Sequence, residues 1–121
     1  MVCLQLQGPV PSKKNAWRRG GGNVYLPAKV QADIDALIWQ AKAQRPKLDL
    51  SDIAGKRVRV DAHFFVPREH KDLDNVFTTL LDVLQKAGVL ENDKLVRAFR
   101  VRETVVKGVE YVDVELSTIE R

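Results

Sequence analysis

Five apolar residues stand at every second position in one stretch of the chain: Val58, Val60, Ala62, Phe64 and Val66. Arg57, Arg59, Asp61 and His63 fill the positions between them. Side chains alternate across a strand, so this run predicts a β-strand over Lys56–Val66 with one greasy face and one charged face. Pro67 closes it. A sheet built on such a strand needs a cover for one side only, which restricts the fold to two layers.

The cover is visible in two helical patterns. In residues 28–45, Val30, Ile34, Leu37, Ile38 and Ala41 recur at three and four, with Pro27 near the first turn and Pro46 as the stop. From about Asn75 to Ala87 the stripe is Phe77, Leu80, Leu81 and Leu84, and Gly88 supplies the C-terminal cap. Val2–Gln7 and residues 94–106 and 109–117 read as further strands, with Asn23–Leu26 a short extended piece. Lys107-Gly108 reads as a tight hairpin turn between the last two strands. The order strand, helix, strand, helix, strand, strand gives the α/β (α+β) class: a mixed sheet packed against two helices, with residues 1–121 as a single domain.

Several classes are excluded. No apolar run approaches the roughly 18 residues of a membrane helix, so no membrane partner is expected. Residues 1–7 lack a basic segment leading into a long apolar one, so no secretion signal is expected. Cys3 is the single cysteine of 121 residues. It cannot form an internal disulfide, and with two histidines it does not make a typical structural zinc site. The expected compartment is the cytoplasm.

The charge is uneven. Residues 1–32 hold Lys13, Lys14, Arg18, Arg19 and Lys29 and no acid; the remainder holds fifteen basic and sixteen acidic side chains. The basic excess falls in a proline- and glycine-rich loop, residues 9–23. Lysine and arginine can replace condensed counterions on phosphates, and glycine lets backbone come close. Trp17 in that loop could stack on an exposed base, or fold onto the core.

The most chemically informative stretch is Lys71-Asp72-Leu73-Asp74-Asn75. In extended backbone Asp72 and Asp74 share a side, and two neighbouring carboxylates call for a hard divalent cation such as Mg²⁺ or Mn²⁺. Asp74 also stands where a helix N-cap is expected. Asp93 joins the pair only if the chain after Gly88 runs back along a helix about 20 Å long. Glu91 and Asp82 are competing acids, Asp82 on a solvated side of its helix. His63 and His70 are possible proton carriers, with a strand-surface role and a loop role as their plainer readings.

These residues carry a resemblance. Lys71-Asp72-Leu73-Asp74-Asn75, followed by Leu81-Asp82-Val83-Leu84-Gln85-Lys86-Ala87-Gly88-Val89-Leu90-Glu91-Asn92-Asp93, resembles the core of the RusA family of Holliday junction resolvases. Pro11-Ser12-Lys13-Lys14-Asn15 is similar to that family's N-terminal segment. The resemblance implies a homodimeric, Mg²⁺-dependent nuclease (Mn²⁺ a possible substitute), often encoded by phages and prophages, that nicks opposed strands of a four-way DNA junction. It places the catalytic, metal-holding aspartates on Asp72, Asp74 and Asp93, and a catalytic basic residue on Lys71. Lys13, Lys14, Asn15, Arg18, Arg19 and Lys71 are the candidate DNA contacts. The sequence departs from the family at Thr78, where a functionally important lysine is expected. A hydroxyl cannot supply that charge, which leaves Lys71, Lys94 or the Lys13-Lys14 pair to do so. Asn92 replaces an acid in the turn. A less selective flap or fork nuclease, and a junction-binding module that no longer cuts, are the alternatives.

Overall fold

The structure is a computed structural model that describes residues 1–13 and 17–119. Its main sheet has four strands in the order β1 (Val2–Gln7), β6 (Tyr111–Thr118), β4 (Val58–Val66), β5 (Val96–Val105). Two short strands, β2 (Arg18–Gly20) and β3 (Asn23–Tyr25), form a separate hairpin. Helices α1 (Ala28–Gln44) and α2 (Leu73–Lys86) supply the second layer. The class is the expected one, a mixed sheet on two helices.

Alternation decides which face is covered. Val2, Leu4 and Leu6 of β1, all five apolar residues of the β4 run, and Val112, Val114 and Leu116 of β6 are buried together with Ile34, Leu37 and Ala41 of α1. The opposite face of the sheet is polar and open. On it His63, Phe65 and Tyr111 stack in a row, with ring centroids 4.1 Å and 4.7 Å apart.

Strand order departs from expectation at the last turn. Lys107-Gly108 does not join neighbours: β4 lies between β5 and β6, parallel to the first and antiparallel to the second. The reason is the apolar face of β4, which is shielded best with a strand on both sides. Helix α2 makes the crossover that a parallel β4–β5 pair requires. Residues 106–110 then span two strand spacings, roughly 10 Å, over the end of β4, where the Val106 amide donates to the Val66 carbonyl (2.8 Å).

Helix α2 begins two residues earlier than the expected Asn75. The Asp72 carbonyl accepts from the amides of Asn75 (3.0 Å) and Val76 (3.2 Å), so Asp72, rather than Asp74, is the N-cap residue. The buried face is also rotated from the expected stripe. Val76, Phe77, Thr79, Leu80, Val83 and Leu84 are buried, and Leu81 is left on the flank. Thr79 is tolerated there because its hydroxyl donates to the Asn75 carbonyl (3.2 Å). At the other end Gly88 takes a positive φ of 78°, and the amides of Val89 and Leu90 close back on the Leu84 carbonyl.

The two free edges of the sheet are treated differently. Along β1, the amides of Gln5 and Gln7 donate to Oε1 of Gln44 and Gln40, and their carbonyls accept from Nε2 of the same side chains. Helix α1 thus seals that edge with two primary amides. Among the described residues, nothing comparable covers the outer edge of β5. No described helix is long and apolar enough to cross a membrane.

Candidate nuclease site

The loop between β4 and α2 is fixed from β5. Oε2 of Glu103 accepts the His70 amide (3.2 Å) and lies 2.5 Å from His70 Nδ1. This sets the level of the following Lys71 and Asp72 against the far end of β5. His70 therefore has its loop role, and Glu103 is a positioning residue that sequence reasoning missed. A glutamate in a strand pattern gives no sign of reaching across to a loop.

Asp72 is half-buried, and its Oδ2 accepts from Ser12 Oγ (2.7 Å) and Asn75 Nδ2 (3.4 Å). Ser12 brings the N-terminal segment onto α2 and orients this carboxylate, as supporting hydrogen bonds do around metal ligands. Ser12 stands in the motif Pro11-Ser12-Lys13-Lys14-Asn15, where the charged neighbours carry the stronger sequence signal. Asp74 is exposed in the first turn of α2, where the helix dipole favours a carboxylate. Since α2 begins at Leu73, the two aspartates do not share one side of an extended segment.

Asp93 opens a 3₁₀ turn, and its amide donates to Gln85 Oε1 (2.9 Å). Gln85 lies eleven residues beyond Asp74 on α2, about 16 Å of helix. The chain after Gly88 passes into β5 and does not run back along α2 before Asp93. Asp74 and Asp93 nevertheless line the same groove, an opening of about 510 Å³ between α2 and β5. Its walls are Leu73, Phe77, Thr78 and Leu81 on one side and Val96, Phe99 and Val101 on the other. The rings of Phe77 and Phe99 stack across it at 5.1 Å. Thr78 thus faces the groove where the family lysine is expected, and its hydroxyl donates to the Asp74 carbonyl (3.0 Å). Among the described residues, no three acidic, histidine or cysteine side chains are gathered at metal-binding distance.

The basic candidates divide. Lys71 is exposed beside Asp72. Arg18 and Arg19 are exposed on the β2–β3 hairpin, next to Trp17, which is 48% exposed and not folded onto the core. Lys14 and Asn15 lie outside the described residues. Lys13 is held by Asp82 at 2.5 Å, and Lys86 approaches the same oxygen at 3.2 Å. Asp82 is therefore a paired, half-buried residue rather than a solvated one. Burial acts against its charge, but hydrogen bonds from Lys13 and Lys86 outweigh burial and hold its carboxyl below the ordinary range. A lowered carboxyl pKa stabilises the fold above the unfolded value, 3.8, and that contribution fades as pH falls further. Asp82→Asn is expected to lower the melting temperature by about 3 °C at pH 7. Thermal melts should show the difference from the parent vanishing in acid below about pH 3.8.

His63 is remote from the aspartates, on the open sheet face. Burial and the nearby Arg102 lower its pKa, and Nε2 pairs with Thr104 Oγ1 (2.7 Å). It has the strand-surface role and not that of a proton carrier at this groove.

A small mixed-sheet domain with carboxylates at both ends of a helix-flanked groove, and basic side chains near one of them, has the makings of a phosphodiester-cleaving site. Residues 7–117 match the family model of endodeoxyribonuclease RusA, and the chain belongs to that family. It is 31% identical over 109 residues to a crossover junction endodeoxyribonuclease RusA of Aquifex aeolicus, covering 89% of this chain and 83% of the relative. A second relative, crossover junction endodeoxyribonuclease rusA of Enterobacteria phage HK97, is 36% identical over 95 residues, with 75% and 73% covered.

Proposed function

We propose that this chain is a crossover-junction endodeoxyribonuclease. It acts as a homodimer with Mg²⁺, or Mn²⁺ in its place, and nicks two opposed strands of a four-way DNA junction. The observation that carries this reading is the groove with Asp74 and Asp93 at its ends and Asp72 at the helix start beside it. The donors are all carboxylate oxygens, the chemistry that hard divalent cations prefer. Asp72 and Asp74 would be protein ligands of an ion that keeps several waters and takes phosphate oxygens as its other ligands. When bound, the ion supplies Lewis acidity at the phosphate and lowers the pKa of a water.

The chain's own residues do the rest. Ser12 and Asn75 hold the Asp72 carboxylate in orientation. Lys71 offsets negative charge that builds on the phosphate. Arg18 and Arg19, with Lys14 and Asn15, grip backbone phosphates and position the junction without reading its sequence. Lys13 reaches DNA only by leaving Asp82.

The test is a nicking assay on a labelled, mobile four-way junction. Paired, symmetric nicks that ligase can seal are expected with Mg²⁺, and none with a chelator. Undiminished cutting in chelator, or forks cut as fast as junctions, would overturn the reading. Tight junction binding with no nicking in either metal would instead favour the binding module that Thr78 suggests.

A further inference from the structure

The β2–β3 hairpin stands apart from the main sheet: among the described residues its two strands pair only with each other. Its turn is Gly21-Gly22, with Gly20 opposite Asn23 and a positive φ at both turn glycines (57° and 80°). A tight two-residue turn of type I′ requires this, and it makes the hairpin a stiff, narrow finger. The finger has two unlike faces. On one, Tyr25 stands opposite Arg18 and its ring lies over Gly20, where a Cβ would come within 3.1 Å of it. On the other, Trp17, Arg19 and Val24 line an open hollow of about 510 Å³. Trp17 is 48% exposed and Val24 57%. An aromatic ring and a guanidinium are thus held out from the core on a rigid support.

We propose that Trp17 stacks on a base exposed at the exchange point of a four-way junction, and that this stacking makes the chain prefer a junction to plain duplex. The inference rests on the junction-nuclease reading and names the residue that selects the substrate.

Chemistry picks the occupant of the hollow. A nucleotide offers a flat π face and a phosphate, and indole and guanidinium answer these in turn. Residues 1–32 carry five basic side chains and no acid, so a polyanion meets no repulsion from this segment. Trp39 makes the contrast. It is 72% exposed, but Asp35 stands one turn before it on α1, where an anionic ligand is repelled. Within continuous duplex every base is covered by a neighbour above and below. Where strands exchange, that stack is interrupted and a base face is laid open, so a stacking contact adds affinity for the junction alone. Phosphate contacts from Arg18 and Arg19 do not discriminate, since both substrates present phosphates.

The position of the finger agrees. Ser12 donates to Asp72 (2.7 Å), which pins the N-terminal segment beside the carboxylates. Trp17 follows five residues later, so its Cα lies within about 18 Å of that pin even if the chain between is fully extended. A DNA strand advances about 3.4 Å per nucleotide, so Trp17 reaches bases on the order of five nucleotides from a phosphate held at Asp72 and Asp74.

Titrations of a four-way junction and a duplex of the same arm sequence, without divalent metal, test this apart from cleavage. Trp17→Ala should weaken junction binding about ten-fold or more, the worth of one stacked base, and leave duplex binding unchanged. Trp17→Phe keeps a ring and should retain most of the preference. Trp39→Phe should bind as the parent does, and it leaves Trp17 as the single tryptophan of the sequence's two. Indole emission of that chain should fall on adding junction and hold steady on adding duplex. Equal weakening on both substrates by Trp17→Ala, or emission unmoved by the junction, would overturn the stacking. So would a Trp17→Ala chain that keeps the parent's preference, and this result leaves the junction reading standing. A parent that binds duplex as tightly as junction would overturn the junction reading, and the stacking with it.

Discussion

Asp74→Asn should slow nicking of a four-way junction at least a hundred-fold while leaving junction affinity intact or improved. The substitution keeps the size of the side chain and removes one anionic oxygen ligand. Loss of a single group that stabilises developing charge commonly costs a factor of 10² to 10³, and a weakened cation site adds to that. Binding moves the other way, because a negative charge near backbone phosphates is gone and the salt-dependent attraction is otherwise untouched. Folding does not confuse the result. Asp74 is exposed, and a carboxylate in the first turn of a helix is worth only about 0.3–1 kcal/mol. Single-turnover nicking with enzyme in excess, beside a gel-shift titration without divalent metal, separates the two effects. Cutting at the parent rate would remove Asp74 from the chemistry. Asp72→Asn should be as damaging to cleavage, since an amide oriented by Ser12 and Asn75 still lacks the charge.

The main-sheet strands and both helices were legible because each announces its period, whereas β2, three residues inside the stretch read as a loop, does not. β4 shows the period of two without a break, and both helices show spacings of three and four, so their existence and approximate limits followed from residue type alone. Strand order did not. Nothing local in Lys107-Gly108 tells a hairpin from a five-residue arch over β4; that is decided by which strand most needs neighbours on both sides. The start of α2 was misplaced by two residues because Asp74 is as good a capping residue as Asp72. The choice went to the one whose carbonyl meets two amides while Leu73 packs at the edge of the core. At the site, the motif marked Asp72, Asp74 and Asp93 as residues, but their spacing could not say where Asp93 lies. That position depends on β5 running parallel to β4, a long-range property. The pairing of Lys13 with Asp82 was hidden for the same reason, since the partners stand sixty-nine positions apart.

The scaffold under the site can be weakened without touching its chemistry, and Leu80→Ala is the change that should do so most. Leu80 lies mid-way along α2 and is 0% exposed, among the core residues that α2 presses onto the sheet. Its truncation removes transfer free energy and leaves a cavity that a close-packed two-layer core cannot easily collapse, for a loss of about 2–5 kcal/mol. In a domain of this length that corresponds to a fall in melting temperature of roughly 10 °C or more. Thr78 and Leu81 face the groove, whereas Leu80 faces the sheet. Nicking per folded molecule, measured well below the new midpoint, should therefore match the parent. Calorimetry and cold single-turnover assays on the same preparation read the two quantities. A shift under about 3 °C would mean that the α2 layer repacks around the loss. Reduced cutting by fully folded protein would mean that the aspartates at the start of α2 depend on how tightly its middle is clamped.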